Sequence, residues 1–79
     1  MKETVPEFSL DRYIGKQLKR RRRLIGMTQQ QLAARVGVRF QQIHKYETGL
    51  NKISASRLWC IADALEVPVT HFYDGYQHT

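Results

Sequence analysis

The side chains of greatest chemical reach in this 79-residue sequence are three histidines, one cysteine and thirteen lysines and arginines. His44, His71 and His78 have neither cysteine nor carboxylate at the spacings that hold a metal ion, so no metal site is expected. No glycine-rich phosphate loop is present and no nucleophile stands beside a base in a recognisable pattern, so neither an enzyme nor a cofactor is indicated. Cys60, between Trp59 and Ile61, reads as a small core residue; alone, it forms no internal disulfide, which suits a reducing cytoplasm. The cations remain. Between Arg12 and Arg57 twelve Lys and Arg accompany a single acid, Glu47, giving that segment a net charge of +11. From Leu58 to Thr79 the balance is −3, with no Lys or Arg. A field polarised in this way suits a polyanion on one side of the molecule and something else on the other.

Overall the chain is 42% hydrophobic and 25% charged with a net charge of +6, the composition of one small folded domain rather than a disordered tail. A chain of this length buries only about 60% of its unfolded surface, so a partner subunit would help its stability. No apolar run approaches the roughly 20 residues of a membrane span, and Met1 to Leu10 lacks the apolar region of a secretion signal. With no room for a sensor domain after Thr79, control by a small-molecule ligand is not expected.

The elements that position these charges can be placed from periodicity and punctuation. Residues 1–9 contain Pro6 and no period, and read as an N-terminal tail or arm. Ile14, Leu18 and Ile25 fall on one stripe of a first helix, roughly 10–25, which Gly26 stops. Thr28 with Gln31 forms a capping box, and Met27 with Leu32 the matching hydrophobic staple, for a second helix over 29–36 closed by Gly37. A third helix spans about 40–48 with Ile43 and Tyr46 inward and Gly49 at its end. Ser54 caps a fourth helix whose stripe is Leu58, Ile61, Ala62 and Leu65, and Pro68 prevents its continuation. Residues 69–73 add a further turn or short helix, and 74–79 a polar C-terminal tail. The fold class is all-α, a compact bundle of about five short helices.

The step from the second helix to the third is the informative one. Two helices joined by a short glycine-containing turn at a steep angle form the helix-turn-helix unit, whose second helix enters the major groove of DNA. Such packing needs a small residue where the helices cross, a glycine of positive φ in the turn and an apolar plug in the second helix. Ala33, Gly37 and Ile43 meet these requirements within the motif at 28–48. Here the sequence resembles the phage repressor and Cro, or XRE, family. The matching segments are Ile14-Gly15-x-x-Leu18-Lys19-x-x-Arg22, Gly26-Met27-Thr28-Gln29, Leu32-Ala33-x-x-Val36-Gly37-Val38, Ile43-x-x-Tyr46-Glu47-x-Gly49 and Ala62-x-Ala64-Leu65-x-Val67. They cover about residues 14–73, within a domain read as 10–73.

The resemblance implies a lambda-repressor-like fold and a sequence-specific transcriptional regulator, a repressor binding double-stranded DNA as a homodimer on a palindromic operator. On the arc of the third helix opposite Ile43 and Tyr46, the expected base readers are Phe40, Gln41, His44 and Lys45. Phe40 alternatively packs as satellite core, and His44 is alternatively a solvated side chain. Arg39 departs from the Ser or Thr usual at this helix start; forgoing that cap costs about 1 kcal/mol, which a contact to base or phosphate would offset. Gln29, Gln42, Lys52 and Arg57 are the expected phosphate contacts. The resemblance pairs Glu47 with Arg22 as a structural brace, leaving Lys19, Arg20, Arg21 and Arg23 as surface field. Glu66 stands where the family commonly ends the fourth helix with Gly.

Because the basic charge lies in the helix-turn-helix half, the expected dimer surface is the acidic, aromatic end, around Phe72, Tyr73 and Tyr76 with Trp59. Two other readings remain open. One is a DNA-binding antitoxin or interaction module gripping a partner protein through 58–76; the other is a basic helix on a membrane surface, which leaves the second and third helices unexplained. The expected location is the cytoplasm, at the nucleoid.

Overall fold

Each helix signalled by punctuation in the sequence is closed by the same backbone device. The computed structural model describes residues 7–77 and contains α1 (Glu7–Leu24), α2 (Gln29–Val36), α3 (Phe40–Thr48), α4 (Ala55–Ala64) and a 3-10 turn (Val69–Phe72), with no strand among the described residues. At the four helix ends an amide reaches back five residues to a carbonyl: Met27 to Arg22 at 3.0 Å, Val38 to Ala33 at 3.1 Å, Leu50 to Lys45 at 3.0 Å and Val67 to Ala62 at 3.0 Å. This closure needs a left-handed residue just before the donor. Gly26, Gly37 and Gly49 supply it at the first three ends. At the fourth, Glu66 is driven to a φ of 61°, so the strain is accepted and α4 ends as its glycine-terminated counterparts do.

The helix starts are as specific. Thr28 accepts from the Gln31 amide at 3.0 Å while the Gln31 side chain accepts from the Thr28 amide at 2.8 Å, the reciprocal box read from the sequence. Ser54 accepts from the Arg57 amide at 3.1 Å to start α4. Helix α1 begins earlier than its apolar stripe announces, at Glu7 rather than Leu10. Residues 7–9 of the expected arm are therefore helical, and 1–6 and 78–79 lie outside the described residues.

Ile14, Leu18, Leu32, Ala33, Ile43, Tyr46, Leu58, Ile61, Ala62, Ala64, Leu65 and Phe72 form one buried core. Helix α3 packs on both α1 and α2, α2 on α4, and the 3-10 turn on α1 and α4. At the α1–α3 crossing the backbones meet closely at Gly15: a Cβ there would stand 2.3 Å from the Tyr46 carbonyl oxygen and 2.7 Å from that of Glu47. Three expectations for side chains are corrected. Ile25 lies beyond the end of α1 and is exposed rather than on the inner stripe. Cys60 is exposed, since Leu58, Ile61, Ala62 and Leu65 turn the opposite arc of α4 inward. Phe72 is 0% exposed: three residues per 3-10 turn set it beside half-buried Val69 on the core side, so it is no part of a surface.

Candidate nucleic-acid interface

The site is built on a buried polar brace. Arg22 and Glu47 are 8% and 6% exposed. Arg22 donates from Nε to Glu47 Oε2 at 2.6 Å and from Nη2 to Oε1 at 3.1 Å, a bidentate pair, and from Nη1 to the Met27 carbonyl at 2.7 Å. Gln29, the first residue of α2, completes the set by donating Nε2 to Glu47 Oε1 at 2.9 Å. The Glu47 carboxylate on α3 thus joins the end of α1 to the first residue of α2, while Arg22 holds the loop between them. The expected pairing of Arg22 with Glu47 is present in full. Gln29 retains a second amide hydrogen, which together with the α2 N-terminus gives it the means to meet a phosphate.

The brace fixes which arc of α3 faces outward. Ile43, Tyr46 and Glu47 are buried, and Arg39, Gln41, His44 and Lys45 are exposed. Phe40 is 41% exposed. Arg39 starts the helix with extended backbone (φ −76°, ψ 151°) and caps it with no side-chain hydrogen bond. Arg39, Gln41, half-buried Gln42, Lys45 and Arg57 line one concave surface with Val38 and Tyr46. Donors, an amide and an apolar ring therefore share the outer side of one helix, the equipment for reading base edges.

The remaining sequence-selected residues have structural duties as well. Arg57 donates Nη1 to the Val36 carbonyl at 2.7 Å, bracing the end of α2 beside the turn. Lys52 Nζ lies 3.6 Å from Asp11 Oδ2, with its side chain 63% exposed. Arg21, read as surface field, is half-buried and donates Nε to the Leu65 carbonyl at 2.9 Å, satisfying the end of α4. That role was hidden within a run of arginines; its only signal is position, since Arg21 and Arg22 fall on the inner side of α1. The aromatic residues expected at a dimer surface do not form one patch with Phe72, which is core. Trp59 is 63% exposed over a small hollow lined by Ala62, Asp63, Val67, Pro68 and Val69. Tyr73 is exposed, whereas Tyr76 packs on Tyr13 with ring centroids 5.1 Å apart. No group of side chains among the described residues has the makings of a metal site, and no helix there is long and apolar enough to cross a membrane.

A short helix, a glycine turn and a second helix whose outer arc is free while its inner arc is bolted to the core define the helix-turn-helix class. Residues 18–72 match the helix-turn-helix family HTH_3, and the chain belongs to that family, of the XRE type. A transcriptional regulator in the ATPase CF(0) region of Rhodospirillum rubrum is 50% identical over 68 residues, covering 86% of this chain and 63% of that protein. The chain spans less than two thirds of the length of this curated relative. Among solved structures, an HTH_3 family transcriptional regulator from Vibrio cholerae aligns with a TM-score of 0.80 and 26% identity, over 86% of this chain and 38% of that one. The same fold recurs in hydroxypropylphosphonic acid epoxidase from S. wedmorenis, with a TM-score of 0.74, 22% identity and coverage of 78% of this chain and 33% of that one. At that identity the likeness is one of fold alone.

Proposed function

We propose that this chain is the DNA-binding part of a sequence-specific transcriptional regulator acting at the nucleoid in the cytoplasm, a repressor that binds a palindromic operator as a homodimer. The observation that carries the reading is the outer arc of α3, where Arg39, Phe40, Gln41, His44 and Lys45 stand exposed on a helix whose inner arc is immobilised by Ile43, Tyr46 and Glu47. A rigid helix presenting donors and an amide is what major-groove readout requires. Gln41 suits adenine, Lys45 and Arg39 guanine, and Phe40 a thymine methyl. Gln29, Gln42, Lys52 and Arg57 border this arc as phosphate contacts that set register. Trp59, Tyr73 and Tyr76 are the side chains assigned to pairing two copies, so that two α3 helices would read half-sites about 34 Å apart. The repressor role follows the family resemblance, and the relatives' names as transcriptional regulators agree with the class.

Selection of bound duplexes from a random pool at fixed salt tests this reading. Two inverted half-sites with centres one helical turn apart are expected; recovery of unselected sequence would overturn it.

A further inference from the structure

Four polar side chains that the fold leaves idle converge on one place. Gln17, Arg20 and Arg21 of α1 and His71 of the 3-10 turn, together with Leu24, line a hollow of about 210 Å³. Gln17, Arg21 and His71 are half-buried and Arg20 is exposed. Arg21 is anchored by the bond from Nε to the Leu65 carbonyl, which leaves both Nη groups with no partner among the described residues. His71 rests edge-on against the fully buried Phe72, ring centroids 5.5 Å apart. Its imidazole, like the side chains of Gln17 and Arg20, makes no hydrogen bond with a described residue. Any one of these groups alone is an ordinary solvated side chain. Here two guanidinium groups, an imidazole and an amide share one hollow with no acid in its wall. Donors without acceptors, and positive charge without a counter-charge, make a seat for an oxyanion.

The hollow lies away from the reading side. Gly15 marks the side of α1 that meets α3, where the Tyr46 and Glu47 carbonyls approach it. At about 100° per residue, Arg21, Arg20, Gln17 and Leu24 stand about 120°, 140°, 160° and 180° around α1 from Gly15. Helix α4 gives the same direction. Its first turn carries Arg57, which lines the concave surface with Arg39, Gln41 and Lys45. Leu65 at its other end, the partner of Arg21, is about 12 Å further along the axis. The body of α1 therefore stands between the hollow and a duplex held by α3. Size then limits the guest. The hollow has the volume of about seven waters at roughly 30 Å³ each, below the roughly 300–1,000 Å³ of a site for a drug-sized ligand. It takes a head group on a short stem, and Leu24, 77% exposed, offers that stem an apolar surface.

We infer that Gln17, Arg20, Arg21 and His71 form a binding site for a small aliphatic carboxylate, whose two oxygens meet the free Nη edge of Arg21 and whose stem lies over Leu24. One anchored guanidinium fork matches the two oxygens and single charge of a carboxylate. A phosphate monoester would leave its third oxygen and second charge to Arg20, which nothing holds in place. The site needs no separate sensor domain, because α1 and the 3-10 turn line it and the end of α4 anchors Arg21. It stands independently of the reading of α3.

The test titrates isocaproate, a branched six-carbon carboxylate, into the isotope-labelled full chain at constant ionic strength and follows it by NMR. Saturable shifts at millimolar ligand are expected, largest at the Arg21 Nε–H, the Gln17 side-chain amide and the His71 ring. At ten times Kd the melting point should rise by about 6–11 °C. Acetate, which lacks the stem, should bind at least fivefold more weakly, and the neutral isocaproamide should not saturate. Arg20→Gln with His71→Gln should weaken isocaproate at least tenfold with an unchanged circular dichroism spectrum; Arg20→Gln alone, at an exposed position, should already lose at least threefold. Isocaproate at ten times Kd should change duplex affinity less than twofold. Absence of saturable shifts, equal binding of the amide, or full affinity in both variants overturns the site. Isoamyl phosphate binding tenfold more tightly than isocaproate overturns the choice of a carboxylate. Displacement of isocaproate by a duplex would make these side chains a contact to DNA phosphate and overturn the inference equally.

Discussion

Replacing Arg22 with Ala removes the cation from a carboxylate that has no other charge partner among the described residues. Three hydrogen bonds go with it, two to Glu47 and one to the Met27 carbonyl, all made by a side chain only 10% exposed. Glu47, its own side chain 2% exposed, would keep only the amide of Gln29. Stranding a buried charge costs about 3–5 kcal/mol, whereas an exposed ion pair is worth about 0–1 kcal/mol. A domain of this size has a total stability of about 4–12 kcal/mol, so the substitution takes away a large share. Each kcal/mol moves the melting point of such a domain by about 4–8 °C, and calorimetry or circular dichroism should register a drop of about 12–40 °C. The double replacement Arg22→Met with Glu47→Leu separates charge from packing. It removes the stranded carboxylate and should recover most of the loss, since a buried pair replaced by apolar groups of similar volume is often neutral. A loss below about 1 kcal/mol for Arg22→Ala would refute the brace. A double variant as unstable as the single one would refute buried charge as the cause.

Three other substitutions have signs fixed by the backbone. Glu66→Gly should stabilise by about 1 kcal/mol, because Glu66 holds a left-handed conformation at the end of α4; chemical denaturation reads this, and destabilisation would contradict it. Gly15→Ala should cost about 1–3 kcal/mol, because the new methyl meets the Tyr46 and Glu47 carbonyls and forces α1 from α3. Arg39→Ser should raise stability by about 1 kcal/mol through a new cap on α3, while lowering operator affinity about tenfold or more. Melting and binding measured on the same sample must therefore move in opposite senses.

Local signals carried most of the fold because they depend on neighbours in sequence. The Thr28 and Gln31 box, the glycines at 26, 37 and 49 and the Ser54 cap all act within a few residues. Stripes three and four apart likewise identified Leu18, Leu32, Ile43 and Ile61 as core. What escaped depends on geometry between elements. Phe72 read as surface because a four-residue 3-10 turn has too little length to show a period, and only its packing on α1 and α4 turns it inward. Arg21 looked like one more member of a charge run until α4 brought the Leu65 carbonyl beside it. The bond from Gln29 to Glu47 was invisible for the same reason, since the two lie eighteen residues apart. Arg22 and Glu47 were legible only through the family resemblance; spacing alone does not pair residues 25 positions apart.

The central claim is that α3 reads base edges through its exposed arc. Competition binding of the selected operator and a scrambled duplex of equal length, with wild type and Lys45→Ala compared at the same salt, tests it directly. Loss of the Lys45 contact should weaken operator binding by about 5- to 150-fold and leave the scrambled duplex nearly unaffected. An equal loss on both duplexes would make Lys45 a phosphate contact and contradict readout by this arc.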